Sequence, residues 1–158
     1  MNKIETTKGD LLECDARYIC HQCNCITTHS AGIAFDIFNK FPYSNIYKGR
    51  TIWDTPGTIK ICGNGKDERY VINMLSQVYP GTPKYPDSYK DGTAARESYF
   101  LECLDQMSKI ENADSFAFPY KIGCNLAGGD WDHYYEMICK FADRIEAKVY
   151  IYRFDGAL

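Results

Sequence analysis

Residues 115–145 constrain the fold of this chain more than any other stretch. A short apolar run at 115–118 opens through Phe118-Pro119-Tyr120-Lys121-Ile122-Gly123-Cys124-Asn125-Leu126-Ala127-Gly128-Gly129-Asp130-Trp131 onto an amphipathic segment reaching Ile145. The order is strand, glycine-rich loop, helix. Such a turn gathers several backbone N–H groups at a helix N-terminus, where they can hold a phosphate or pyrophosphate without a cationic side chain. Glycines at 123, 128 and 129 allow the backbone to approach a ligand where a Cβ would collide. The same glycines also suit an ordinary turn, and the motif alone does not separate the two readings.

The rest of the chain alternates in the same manner. Residues 4–7 and 17–24 read as strands. At 32–41 the apolar residues Ile33, Ala34, Ile37, Phe38 and Phe41 follow helical spacing until Pro42 stops them. Residues 57–62 and 69–75 flank Gly63-Asn64-Gly65-Lys66, a strong hairpin signal. A proline-punctuated loop covers 79–86, and loops of that length in a small domain are often functional. Thr93 is placed to cap a helix whose buried stripe is Phe100, Leu101, Leu104, Met107 and Ile110. Asp130 is placed to cap the last helix, and 148–154 closes as a strand. This order predicts a three-layer α/β/α sandwich around a mixed sheet of about six strands, a single domain over 1–158. In such sheets ligands sit outside the carboxyl ends of the strands, which singles out the loops at 24–32, 76–86 and 119–129.

Composition narrows the function. A formal net charge of −3 argues against a protein that coats duplex nucleic acid or an anionic membrane. No apolar run approaches the roughly 20 residues of a membrane-spanning helix. Residues 1–5 lack the apolar stretch of a signal peptide, so a cytoplasmic or nucleocytoplasmic monomer is expected. The eight cysteines then read as reduced thiols. Cys20-His21-Gln22-Cys23-Asn24-Cys25 invites a zinc reading, yet no second ligand pair exists, and strand alternation sends Cys20 and Cys23 to opposite faces. Neither a metal nor a cofactor is expected.

Four segments together carry a family resemblance: Lys8-Gly9-Asp10-Leu11-Leu12, Cys23-Asn24-Cys25, Ala31-Gly32-Ile33-Ala34, and the run from Ile122 to Trp131. In this order and spacing the chain resembles a macrodomain, the ADP-ribose-binding fold, over essentially its whole length. Within that family His21-Gln22-Cys23-Asn24-Cys25, Asn73-Met74-Leu75-Ser76-Gln77 and the segment from Arg96 to Leu104 are most similar to the branch of ADP-ribose-1″-phosphate phosphatases and terminal ADP-ribose-protein glycohydrolases.

The resemblance implies roles. ADP-ribose or a derivative would be the ligand. Asp10, with Gly9 beside it, would accept a hydrogen bond from the adenine amine, and Leu11 would offer its N–H to the base. Asn24, with Thr27 nearby, would bind the distal ribose, a task suited to a group that both donates and accepts. Ser30, Ala31, Gly32 and Ile33 would face Ile122, Gly123, Cys124, Asn125, Leu126 and Ala127 across the pyrophosphate. Tyr152 or Phe154 would stack on adenine. In the phosphatase branch His21 would be the general acid or base, with Asp130 orienting water. His21 reaches Asn24 only if the strand bends at Cys23, because residues three apart otherwise face opposite sides.

Two departures matter. The loop 26–31 reads Ile26-Thr27-Thr28-His29-Ser30-Ala31 where relatives carry glycines, and His29 is either a donor to a terminal phosphate or an exposed loop residue. The segment matching a nucleophilic lysine of the glycohydrolases is Met74-Leu75-Ser76-Gln77; only Lys84 and Lys121 are amines near the cleft, and neither matches that motif. The phosphatase reading therefore ranks first, a non-catalytic reader second, and a mono-ADP-ribosyl hydrolase third.

Overall fold

The computed structural model describes residues 4–154; the first three and last four residues of the expected 1–158 domain lie outside it. Strands β1 (Ile4–Lys8), β2 (Tyr18–Asn24), β3 (Thr58–Cys62), β4 (Tyr70–Gln77), β5 (Ser115–Pro119) and β6 (Lys148–Arg153) form one sheet in the order β1-β6-β5-β2-β4-β3. Only β3 runs antiparallel to its neighbour; the other pairings are parallel. Helices α1 (Gly32–Lys40), α2 (Thr93–Met107) and α3 (Trp131–Asp143) complete the layers.

Alternation along β2 distributes the core. Tyr18 and Cys20 join Phe100 and Leu104 of α2 and Ile138 and Phe141 of α3 on one face. Ile19 and Cys23 join Ile37 and Phe38 of α1 on the other. Cys20 and Cys23 thus lie in different cores, and among the described residues no three His, Cys, Asp or Glu side chains gather as metal ligands. Both faces of β2 and β4 are covered, so their residues are buried or half-buried along the whole of each strand, polar ones included. Among the described residues no helix is long and apolar enough to cross a membrane.

Thr93 does not cap α2. It is the first helical residue, and Gly92 holds the cap position with no side-chain bond. A Cβ on Gly92 would sit 2.4 Å from the carbonyl oxygens of Pro86 and Ser88, so no larger residue fits there. Those same carbonyls accept from the N–H groups of Thr93 and Gly92 at 2.9 and 2.8 Å, doing the work of a cap. At α3 the expectation is met: the Asp130 carboxylate accepts from the N–H of Asp132 at 2.9 Å.

Candidate functional site

The carboxyl ends of the parallel strands open into a cleft of about 1070 Å³. Its walls come from the three loops singled out by the strand order. One wall is the start of α1, where Ala31 at the cap position has no side-chain bond to the helix and leaves the first-turn N–H groups available to an anion. The facing wall is the loop 122–127. The two approach closely: a Cβ on Gly32 would lie 2.9 Å from Leu126 Cδ1, and Gly32 adopts φ +59°, the left-handed region that favours glycine. Gly123 turns the second loop at φ +77°, and the Gly129 N–H closes it onto the Gly123 carbonyl at 2.9 Å.

Of the residues implied by the resemblance, Gly9, Asp10, Leu11, Asn24, Ala31, Gly32, Ile33, Ile122, Gly123, Cys124, Asn125, Leu126, Ala127 and Tyr152 line this cleft, together with His29 and Phe154. Thr27, Ser30 and Lys84 do not. Thr27 instead braces its own loop, its N–H and hydroxyl donating to Asn24 Oδ1 at 2.9 and 3.0 Å. The Ile26 N–H adds a third bond to that oxygen, at 3.0 Å. Asn24 therefore offers a ligand only the donor side of its amide, not both functions. Asp10 keeps more freedom: Oδ1 accepts from the Leu12 N–H at 2.9 Å, and the second oxygen remains for a ligand amine.

Neither expected catalytic residue lines the cleft. His21 is 0% exposed and belongs to the α1 face of the sheet, edge-on to Phe38. Its Nε2 lies 2.6 Å from Asn73 Oδ1; Asn73 Nδ2 donates to the Ser44 carbonyl at 3.2 Å, which fixes the amide orientation and makes His21 Nε2 the donor. The strand does bend where the role required, with a register shift between Cys23 and Asn24, but the bend comes after His21 and leaves it in the core. Asp130 is an exposed helix cap, with His133 Nε2 at 3.6 Å. Cys124 is no substitute nucleophile, because burial pushes its thiol up to about 12.

Burial also depresses the His21 imidazole from its ordinary 6.5 to about 4. The unfolded chain thus takes up a proton that the folded chain refuses. The associated stability is complete above pH 6.5 and is lost as pH falls through that value toward 4. Between pH 7.5 and 5 this should amount to about 2 kcal/mol. Urea unfolding of wild type and His21→Gln at both pH values should show a difference of that size in pH dependence; identical slopes would contradict the buried neutral histidine.

Two cleft residues, Tyr47 and Arg153, carry no local sequence signal; Gln22, Gln77 and Tyr120, which belong to the segments quoted above, also line it. Arg50 lies behind the 24–27 loop. It donates to the carbonyls of Thr27 and Asn24 at 3.1 and 3.2 Å, pairs with Asp54 at 3.0 Å and stacks on Tyr47. Of the two amines marked near the cleft, Lys121 lines it and Lys84 does not.

The chain is a three-layer α/β/α sandwich with two backbone loops facing each other at the carboxyl ends of its strands. No protein-family model matches the sequence, and no curated protein does. Solved structures do. The macrodomain of Mycobacterium tuberculosis DarG superimposes with a TM-score of 0.73 at 20% identity, over 94% of this chain and 96% of that one. A protein of unknown function from Bacteroides thetaiotaomicron gives 0.71 at 26% identity, over 95% and 97%. Thermosipho africanus DarTG in complex with ADP-ribose gives 0.70 at 14% identity, over 95% of this chain and 41% of that one. The chain has the macrodomain fold.

Proposed function

We propose that this cleft binds ADP-ribose or an ADP-ribose derivative. One observation carries the reading: two backbone loops, hinged at Gly32 and Gly123, face each other closely enough that Leu126 would meet a Cβ on Gly32, with Asp10 toward one end and Asn24 toward the other. That is the layout of a pyrophosphate clamp between a base site and a sugar site. The neighbour solved with ADP-ribose supports the choice of ligand.

Calorimetry tests it. ADP-ribose should bind in the micromolar range, about −7 to −8 kcal/mol, with AMP much weaker. Asp10→Ala should lose about 1.5–3 kcal/mol of that affinity, the usual worth of a charge-assisted hydrogen bond. Absence of heat and of any thermal shift with excess ADP-ribose overturns the reading.

A second reading adds catalysis to binding: metal-independent removal of the phosphate from ADP-ribose-1″-phosphate. It is supported by the likeness of 21–25 to the phosphatase branch and by His29, which lines the cleft in the loop joining Asn24 to Ala31. Since His21 is buried and Asp130 is a cap, His29 is the imidazole available as acid or base. Product analysis with ADP-ribose-1″-phosphate, and separately with mono-ADP-ribosylated protein, distinguishes phosphatase, de-ADP-ribosylating enzyme and reader. A phosphatase should lose about 10²–10⁴ of its turnover in His29→Ala; binding without turnover of either substrate makes the module a reader.

A further inference from the structure

We propose that the adenosine end of the cleft receives a second anionic group, a phosphate on the adenosine-side ribose, so that the preferred ligand is a phosphorylated ADP-ribose. This rests on the ADP-ribose reading above and concerns groups that reading does not use.

Two cations line that end of the cleft, and a third stands beside one of them at a neighbouring strand end. Lys8 ends β1 and Arg153 ends β6; the two are partners in parallel register and project to the same face. Lys121 follows the end of β5 by two residues. Its Nζ and the Arg153 guanidinium lie 5.7 and 5.1 Å from the centroid of one ring, that of Tyr120. Trp131 packs edge-on against that ring, and the Tyr120 N–H donates to the Tyr152 carbonyl at 2.9 Å. The ring therefore holds two charged heads at a fixed place. Lys121 and Arg153 line the cleft, whereas Lys8 is exposed and does not line it.

None of the three cations forms an ion pair with a carboxylate among the described residues. In a chain of net charge −3, such a local excess is not a bulk property. Like charges held near one ring repel, and an anion bound beside them offsets that repulsion. Lys121 also holds φ +62°, a left-handed conformation that an L residue adopts only at a cost. Among the described residues the Arg153 Nε is buried without a partner, and a guanidinium fork matches phosphate geometry.

The position identifies the group. The Gly9 N–H donates to the Arg153 carbonyl at 2.9 Å, which sets the Arg153 backbone beside Gly9 and Asp10, where the base would lie. Lys121 adjoins Ile122, where the pyrophosphate loop begins. The adenosine ribose lies between base and pyrophosphate, and so between these two cations.

The experiment compares ADP-ribose with its 2′-phospho and 3′-phospho derivatives by calorimetry on the wild-type protein, with inorganic phosphate alone as a control. At low salt one isomer should bind about tenfold more tightly than ADP-ribose, with the advantage shrinking as ionic strength rises. Lys121→Gln and Arg153→Gln should each reduce that ratio about three- to tenfold, and Arg153→Lys should retain part of it. If both phosphorylated isomers bind no better than ADP-ribose, the inference falls while the ADP-ribose reading stands. If ADP-ribose itself fails to bind, both fall. The wild-type comparison needs no variant, so a misfolded variant leaves it decisive.

Discussion

Replacing Arg96 with methionine should cost about 3–5 kcal/mol of folding stability, the usual result of leaving one partner of a buried ion pair uncompensated. Arg96 lies within α2 and is 2% exposed. Its Nε and Nη2 donate to the two oxygens of Asp91 at 3.1 and 2.7 Å. The same guanidinium donates to the carbonyls of Gly81 at 2.7 Å, Tyr79 at 3.1 Å and Ala127 at 3.4 Å. Asp91 in turn accepts from the N–H groups of Val78 and Tyr79 at 2.6 and 3.1 Å. One buried cation thus ties the proline-rich loop to the glycine-rich loop. Urea unfolding should report the stability loss, and calorimetry should report weaker ADP-ribose binding as the two walls loosen. The double variant Arg96→Met with Asp91→Asn should recover part of the stability, because it removes the stranded charge. A single variant within about 0.5 kcal/mol of wild type would show that the pair is dispensable.

Gly123→Ala should be nearly as damaging, for a steric reason. An L residue at φ +77° carries about 1–2 kcal/mol of backbone strain. The added Cβ would also stand 2.6 Å from Tyr134 Cε2 and 3.0 Å from Gln22 Oε1. Tyr134 is 1% exposed and packed edge-on against Phe100, so its ring has nowhere to move. Overpacking of this kind adds about 1–3 kcal/mol. Gly49→Ala separates the two contributions, since that glycine has φ +73° and nothing within 4 Å of its Cβ position. It should show the backbone strain alone. Equal losses at both positions would mean that the contact with Tyr134 relaxes freely. Gly123→Ala should also displace the loop N–H groups and lower ADP-ribose affinity by about tenfold or more, whereas Gly49, which does not line the cleft, should leave it intact.

The element order, the two core faces and most of the cleft wall were legible in the residue pattern, because each is written in local periodicity. Helical spacing from Ile33 to Phe41 placed α1, and alternation in β2 sent Cys20 and Cys23 to different cores. Glycines before and after short strands marked the loops that line the cleft, since φ > 0 at Gly32 and Gly123 is a requirement of their own backbone. His21 shows where locality ends. Its parity on β2 was readable, but whether that face meets solvent or α1 depends on where a helix eleven or more residues later packs, and α1 covers it. Gly92 took the α2 cap from Thr93 because two carbonyls from the preceding loop leave no room for a Cβ. Arg96 reaches Ala127, Arg50 reaches Asn24, and Lys121 and Arg153 converge only once the sheet order sets β6 beside β5. Local pattern determines which way a side chain faces on its own element. The long-range pairing of strands, whose register no single segment encodes, decides what it meets there.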